Sequence, residues 1–346
     1  MFRFAHILLM ASAGMLTACQ TVESLSIDYM LPAEVSFPDA LRRVAVVNNA
    51  PLLAEDQQLY EQTDSTRSFW GHADIATESL AQALADGNYF DEVVICDSLL
   101  RSTDSIPPSR PLSMEEVSRL TEQLDVDFIV SLEAVAVKYS GKAHFIPELQ
   151  AYEGTIDAEA FNTTRVYLPG RQSAMVTLQM RDSIYWSEFS PSERDLPHLL
   201  PKEEEIIRQA SDFAGSLPAS RLMPHWKSSQ RYLFGGSSVA LRDAAVCAKE
   251  GDWDAAIHLW SEEYKQSKSK RKMAAAYNLA VGHEMLDRID EAKRWIDQGL
   301  SLTQAGTTER MLFTLYRQEL EQRQSGMQKL LMQTRRLSEE TTPSEE

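Results

Sequence analysis

The spacing of apolar positions changes twice along the chain, and each change marks a change of architecture. Arg43-Val44-Ala45-Val46-Val47 is a near-continuous apolar run that stops at Asn48-Asn49, which predicts a strand buried on both faces. A polar connection through Glu61 to Ser68 follows. Ile75, Leu80, Ala81, Leu84 and Ala85 then recur at helical spacing up to Asp86-Gly87. Phe90 leads into a second apolar strand, Glu92-Val93-Val94-Ile95. A loop rich in Ser and Pro, Ser102 to Pro111, runs into Ser113-Met114-Glu115-Glu116. That sequence predicts a capping box, in which Ser113 caps the helix and Glu116 reaches back, with the helix running to Leu124. Asp125-Val126-Asp127 opens a third apolar strand, Phe128-Ile129-Val130-Ser131-Leu132. This strand–helix–strand–helix–strand order implies parallel pairing with both faces covered.

The next segments alternate instead. In Ala174 to Tyr185, Val176, Leu178 and Met180 face one way and Thr177, Gln179 and Arg181 the other; Tyr152 to Val166 alternates in part. Together they predict an antiparallel hairpin with one wet face that extends the same sheet. Lys202 to Leu217 reads as a helix closing this domain, and Pro218 and Pro224 break it. The fold class expected for residues 41–217 is mixed α/β, a parallel core with an antiparallel extension.

From Ser237 the pattern is helical throughout and repeats. Ala244, Gly251, Ala256 and Trp260 are matched 36 residues later by Ala280, Asp287, Ala292 and Ile296. Small residues let paired helices approach, and Gly251 or Asp287 makes the turn between them. The pattern resembles the tetratricopeptide repeat, with the extra length assigned to a basic linker, Lys265 to Lys272. A helix from Thr308 to about Arg336, with Leu312, Leu315, Tyr316 and Leu320 as its inner stripe, is expected to cap the repeats. Residues 19–40 read as a tether without a strong period, 218–236 as a linker, 237–336 as the repeat domain and 337–346 as a disordered acidic tail.

The start of the chain supplies an address. Arg3, a short apolar core and Leu16-Thr17-Ala18-Cys19 read as a lipoprotein signal over residues 1–18, cleaved so that an acylated Cys19 becomes the first residue. The core is too short for a membrane-spanning helix, and two or more acyl chains anchor stably where one does not. The expected location is an outer-membrane lipid anchor facing the periplasm, with the cell surface as the alternative. The formal charge is −17, and removal of residues 1–18 takes away Arg3 and no acid, leaving −18. That balance argues against a nucleic-acid partner. Cys96 and Cys247, far apart, read as small buried hydrophobes.

Candidate chemistry is sparse. There is no His-Glu helix pair, phosphate loop, Gly-x-Ser-x-Gly elbow or Cys-x-x-Cys, so neither a catalytic set, a metal site nor a cofactor is expected. His72, Asp74, Glu78 and Asp91 are the nearest approach to a charged cluster. The repeat helices offer a groove instead. Their first helices place Leu241, Ala245, Ala248 and Lys249, then Tyr277, Asn278, Val281, Glu284 and Met285, on the face that accepts peptides in such repeats. There Asn278 can hold a partner's backbone through its amide and Tyr277 can stack on it. Asp-Ser-Thr and Asp-Ser-aliphatic triplets make Ser65 and Ser105 candidate O-glycosylation sites.

Gly71-His72-Ala73-Asp74-Ile75-Ala76-Thr77-Glu78-Ser79-Leu80, Asn88-Tyr89-Phe90-Asp91-Glu92-Val93 and Gly251-Asp252-Trp253-Asp254-Ala255-Ala256 resemble a family of bacterial lipoproteins of unknown function with an α/β domain followed by tetratricopeptide repeats. More remotely, the strand and helix order ending in Asp127-Phe128-Ile129-Val130-Ser131 resembles the α/β domain of the curli-secretion lipoprotein and of lipoprotein activators of cell-wall synthases. That likeness implies an assembly or activation role and carries over no residue. The function expected is a non-catalytic scaffold or adaptor for a protein partner in the cell envelope, bound through the repeats. The alternative is an envelope enzyme acting on glycan or peptide, with a site in the α/β domain.

Overall fold

The computed structural model describes residues 22–51, 59–63, 65–96, 100, 110–235 and 238–338. They fall into two compact units. One contains the described residues of 32–225 and 332–338; the other contains 22–31 and 226–331. Cys19 and Ser105 lie outside the described residues, as does the tail beyond Ser338.

Strands and helices are numbered along the chain, and β1 (Val22–Leu31) belongs to the second unit. In the first, β2 (Arg43–Asn48) pairs in parallel with β5 (Glu92–Cys96) on one edge and with the start of β6 (Phe128–Ile146) on the other. The expected parallel core is therefore present, with Ala45 level with both Val94 and Ile129. Two short strands, β3 (Leu59–Gln62) and β4 (Arg67–Trp70), form within the stretch that read as a polar connection. β4 runs antiparallel to the later part of β6. The other edge of β6 carries β7 (Ala151–Tyr167), and β8 (Val176–Ser190) follows it. This is the expected hairpin, longer than its alternation suggested.

Helices cover the two faces unequally. α1 (Ala73–Asp86) and α4 (Glu203–Ser216) lie on one face, where Leu80, Leu84, Phe128 and Val130 form one cluster and Val135, Val137, Ala158, Ile206 and Ala210 another. Gly215 lets these helices meet, since a Cβ there would stand 2.2 Å from the Ala76 carbonyl oxygen. α2 (Met114–Leu124) covers the opposite face only over the parallel strands, where Val117 and Leu120 meet Ala45, Val47 and Ile129. Its start is the expected capping box: Ser113 Oγ accepts from Glu116 N, and Glu116 Oε2 accepts from Ser113 N at 2.8 Å. Beyond α2 the β6–β7–β8 extension keeps one wet face, on which Arg181 pairs with Glu159 and lies over the Phe161 ring. Two one-turn helices, α3 (Leu196–Leu199) and α5 (Ala219–Leu222), complete the connections.

The second unit holds β1, the strand β9 (His225–Phe234) from Trp226 on, and the helices α6 (Val239–Lys249), α7 (Trp253–Gln266), α8 (Ser269–Met285), α9 (Ile289–Ser301) and α10 (Thr308–Ser338) as far as Leu331. α6 with α7 and α8 with α9 are the two helix pairs that the 36-residue period marks. Gly251, with φ +81°, and Asp287, with φ +56°, make the turns inside them. Trp260, Ala244, Ala256, Ala280 and Ala292 are fully buried in one core.

Several expectations need correction. Val22–Leu31, read as tether, is a strand paired with β9, itself inside the stretch read as linker. In β1, Leu25, Ile27, Tyr29 and Leu31 occupy alternate positions, with Ser26, Asp28 and Met30 between them, and pack on the helical core. In β9 the inward positions are Ser229, Arg231 and Leu233, so polar side chains hid the period. The basic linker does not exist as a loop: α7 and α8 absorb Lys265–Gln266 and Ser269–Lys272, leaving Ser267-Lys268 between them. In α10 the inner stripe is Phe313, Tyr316 and Leu320, with Leu312 partly buried, whereas Leu315 is exposed. α10 also continues to Ser338, past the expected boundary. Its last turns belong to the first unit, where Gln333 accepts from Ala33 N at 2.9 Å and donates to Val35 O at 3.1 Å.

Candidate functional site

The face expected to form a groove is built by α8, whose residues Ala274 to Gly282 are all buried. Tyr277 is 1% exposed, and its ring meets those of Phe234, Phe313 and Tyr316, each with centroids 5.2 Å away. Asn278 does hold a strand backbone, but it is the chain's own. Its Oδ1 accepts from Phe234 N at 2.8 Å and its Nδ2 donates to Phe234 O at 2.8 Å. Glu284 accepts from Arg231 Nε at 2.8 Å, from Arg231 Nη2 at 3.0 Å, from Arg323 Nη1 at 3.2 Å and from the Tyr316 hydroxyl at 2.5 Å. Arg231 also lies over the Tyr316 ring. Burial, with the Glu284 charge beside them, holds the Tyr277 and Tyr316 phenols above their ordinary value.

Tyr277, Asn278, Val281, Glu284 and Leu241 are therefore buried core, not a free groove. The physical reason is that β9 and α10 occupy the inner face that α8 presents. Met285 is partly buried against the same core, as is Cys247. Ala245 and Ala248 are buried as well. Lys249 alone of the nominated set is well exposed, and its Nζ stands 2.7 Å from Glu23 on β1.

The α/β unit does not gather its nominated cluster either. His72 caps α1 through backbone geometry, and its N–H donates to Ser211 Oγ at 2.9 Å. Asp74 and Glu78 are exposed on α1, and Asp91 faces Arg42 at 3.5 Å. Among the described residues no group of three His, Cys, Asp or Glu side chains could hold a metal ion. Ser65 is exposed in the turn that joins β3 to β4, so the candidate modification site is accessible.

A different residue stands out. Glu133 lies where β6 stops following β2, at a register shift between Leu132 and Ala134 in its pairing with β7. Its carboxylate is fully buried and accepts from Asn49 Nδ2 at 2.7 Å, Tyr167 Oη at 3.1 Å and Arg165 Nη1 at 3.4 Å. Burial pushes its pKa up, and the Asn49 and Arg165 contacts oppose that rise without cancelling it. Asn49 Oδ1 beside it is buried and has no hydrogen-bond partner among the described residues. Parallel strands carry ligands at their carboxyl ends, and bulges re-aim side chains there. No local motif flagged Glu133, because its setting depends on strands far apart in sequence.

A cavity of about 430 Å³ opens on the other side of the extension, beneath the segment from Glu193 to Pro201. Gly141, Gly154, Ile156, Leu196, Leu200 and Ile206 form its apolar lining. At its polar end Glu203 Oε2 accepts from Arg67 Nη1 at 2.5 Å and from the Tyr139 hydroxyl. Burial first, then the Glu203 charge, pushes the Tyr139 phenol up to about 12, so it stays a donor.

Fold and sites together define a two-unit protein, an α/β unit with a half-open sheet and a unit of paired helices. A family model for a domain of unknown function, DUF8603, matches residues 41–234, more than half of the chain, and the chain belongs to that family. A second domain of unknown function, DUF6340, matches residues 242–322. No curated protein matches the chain.

Proposed function

We propose that the chain is a membrane-anchored envelope lipoprotein of the tetratricopeptide-repeat kind, a non-catalytic adaptor for a protein partner. The observation that carries this reading is the spacing between Leu16-Thr17-Ala18-Cys19 and β1. The strand starts at Val22, three residues after the acylated cysteine of the proposal. Three extended residues reach about 10 Å. The anchor would then hold the helical unit at the bilayer surface, where a long tether would have let it range into the periplasm. The helix pairs of 36-residue period and their positive-φ turns support the repeat assignment.

Because the inner face is filled, the partner meets the outer surface of the helical unit. Met311 and Leu315 lie one turn apart on α10 and are 60% and 53% exposed. Side chains four apart share a helix face. Cys19→Ser should leave the precursor uncleaved and free of acyl label, and normal maturation would overturn the anchor. Met311→Asp with Leu315→Asp should leave the helical content intact and abolish crosslinking to the partner in envelope vesicles; undiminished crosslinking would overturn the docking surface.

Glu133 favours the second reading, an envelope enzyme acting on glycan or peptide. A buried carboxyl whose pKa is pushed up by burial, at the end of parallel strands, is of the kind that general acid work uses. The test is release of fragments from labelled cell-wall material by the purified chain. Release that Glu133→Gln abolishes supports the enzyme, and no release by the parent chain removes it.

A further inference from the structure

The cavity beneath Glu193–Pro201 has a sharply divided lining. Its floor comes from facing strands: Gly141 stands opposite Ile156, and Ala143 opposite Gly154. The row between them, Lys142 opposite Thr155, turns its side chains to the other face of the sheet, because side chains alternate along strands. Lys142 therefore contributes backbone to the wall and keeps its ammonium elsewhere. Leu196, Leu200 and Ile206 close the apolar side. The two glycines act differently. A Cβ on Gly154 would press on Leu196 and Leu200 at 3.0 to 3.1 Å, so that glycine seats the roof. A Cβ on Gly141 would find nothing nearer than 3.8 Å, so that glycine leaves space empty.

The charged lining is acidic. Glu203 uses one carboxylate oxygen for Arg67 and Tyr139, and its Oε1 has no partner among the described residues. The Glu193 carboxylate has none either, and its side chain is exposed at the rim. No cation of the cavity's own lining balances Glu193. The volume is that of a small-molecule site, in which an apolar body is buried and a few polar groups set its orientation. We propose that this cavity binds an alkylammonium, its apolar body on Gly141, Ile156, Leu196 and Ile206 and its ammonium at the carboxylates of Glu193 and Glu203. An alkyl carboxylate is disfavoured: Arg67 already balances Glu203, and the exposed Glu193 carboxylate at the rim would repel a further anion. An alkylammonium comes either as a free amine or as a lysine side chain of a peptide, and the reading is independent of the membrane anchor.

The test is a titration of the whole chain, followed by NMR or calorimetry, with hexylamine, hexanol, hexanoate and a blocked lysine peptide as probes. Hexylamine should bind about tenfold or more tighter than hexanol, the scale of one charge-assisted hydrogen bond, and hexanoate should not bind. Glu193→Gln should bring hexylamine down to hexanol. Gly141→Leu fills the cavity without strain and should abolish binding of both while leaving the melting temperature unchanged or raised. Binding of the lysine peptide at least as tight as that of hexylamine assigns the site to a peptide, and weaker binding assigns it to a free amine. Equal binding of amine and alcohol in the parent chain, or full hexylamine binding by Gly141→Leu, would overturn the proposal.

Discussion

Asn278 engages both backbone polar groups of Phe234, accepting from its N–H and donating to its C=O, each at 2.8 Å. The amide that a repeat protein would offer to a partner is thereby spent on the chain's own strand. β9 is a fixture of the helical unit, and α8 is its central helix.

Removal of that amide should therefore be a stability defect. Asn278→Ala removes the partner of two part-buried backbone groups of Phe234, at about 1–3 kcal/mol each. Urea unfolding should show a loss of about 2–5 kcal/mol. A change below about 0.5 kcal/mol would mean that β9 is free to leave.

Glu284 faces Arg231 and Arg323 together, and Arg231 is nearly as buried as Glu284 itself. Glu284→Gln takes the fully buried carboxylate from Arg231, beside the Tyr316 ring, and leaves it only the partly exposed Glu319 at 2.6 Å. The expected loss is about 3–5 kcal/mol. Arg231→Met paired with Glu284→Leu should recover much of it, because breaking a buried pair costs more than replacing it. A double variant as unstable as the single one would contradict this.

Gly299→Ala tests the fit of α9 on α10. Alanine is the better helix former by about 1 kcal/mol. Its Cβ would stand 2.0 Å from the Phe313 ring, which is itself buried. Overpacking of this kind costs about 1–3 kcal/mol, so the net effect should be destabilising. A rise in melting temperature would show that the helices can separate at no cost.

Glu133 gives the first unit a pH signature. Its folded-state pKa lies above the ordinary value of 4.5. A raised pKa means that the folded chain binds the proton more tightly than the unfolded chain. Its contribution is fully present below about pH 4.5 and is lost as pH rises through the folded-state value. The stability difference between the parent and Glu133→Gln should shift against the parent over that window and level off above it. A difference independent of pH would show that folding leaves the Glu133 pKa unshifted.

Local pattern was sufficient wherever one segment's own residues decide the outcome. The runs at Val44–Val47 and Phe128–Leu132 are strands covered on both sides, and Val93–Ile95 is a strand whose Ile95 stays 38% exposed. Ser113 and Glu116 need no one else to cap a helix. Gly251 and Asp287 mark their turns by tolerating positive φ. The alternation Leu25, Ile27, Tyr29, Leu31 was equally local, and it names β1 as a strand once counted. Tertiary structure decided the rest, because burial is a property of what lies opposite. Tyr277 and Asn278 carry the residue types of an open peptide groove, and only the arrival of β9 and α10 makes them core. β9 could not announce itself, since its inward side is Ser229, Arg231 and Leu233, and Arg231 is acceptable there because Glu284, across a gap of 53 residues, and Glu319 meet it. Glu133 likewise reads as a charged interruption in a strand until the register shift in β6, with Asn49 and Tyr167 from two other segments, closes around its carboxyl group.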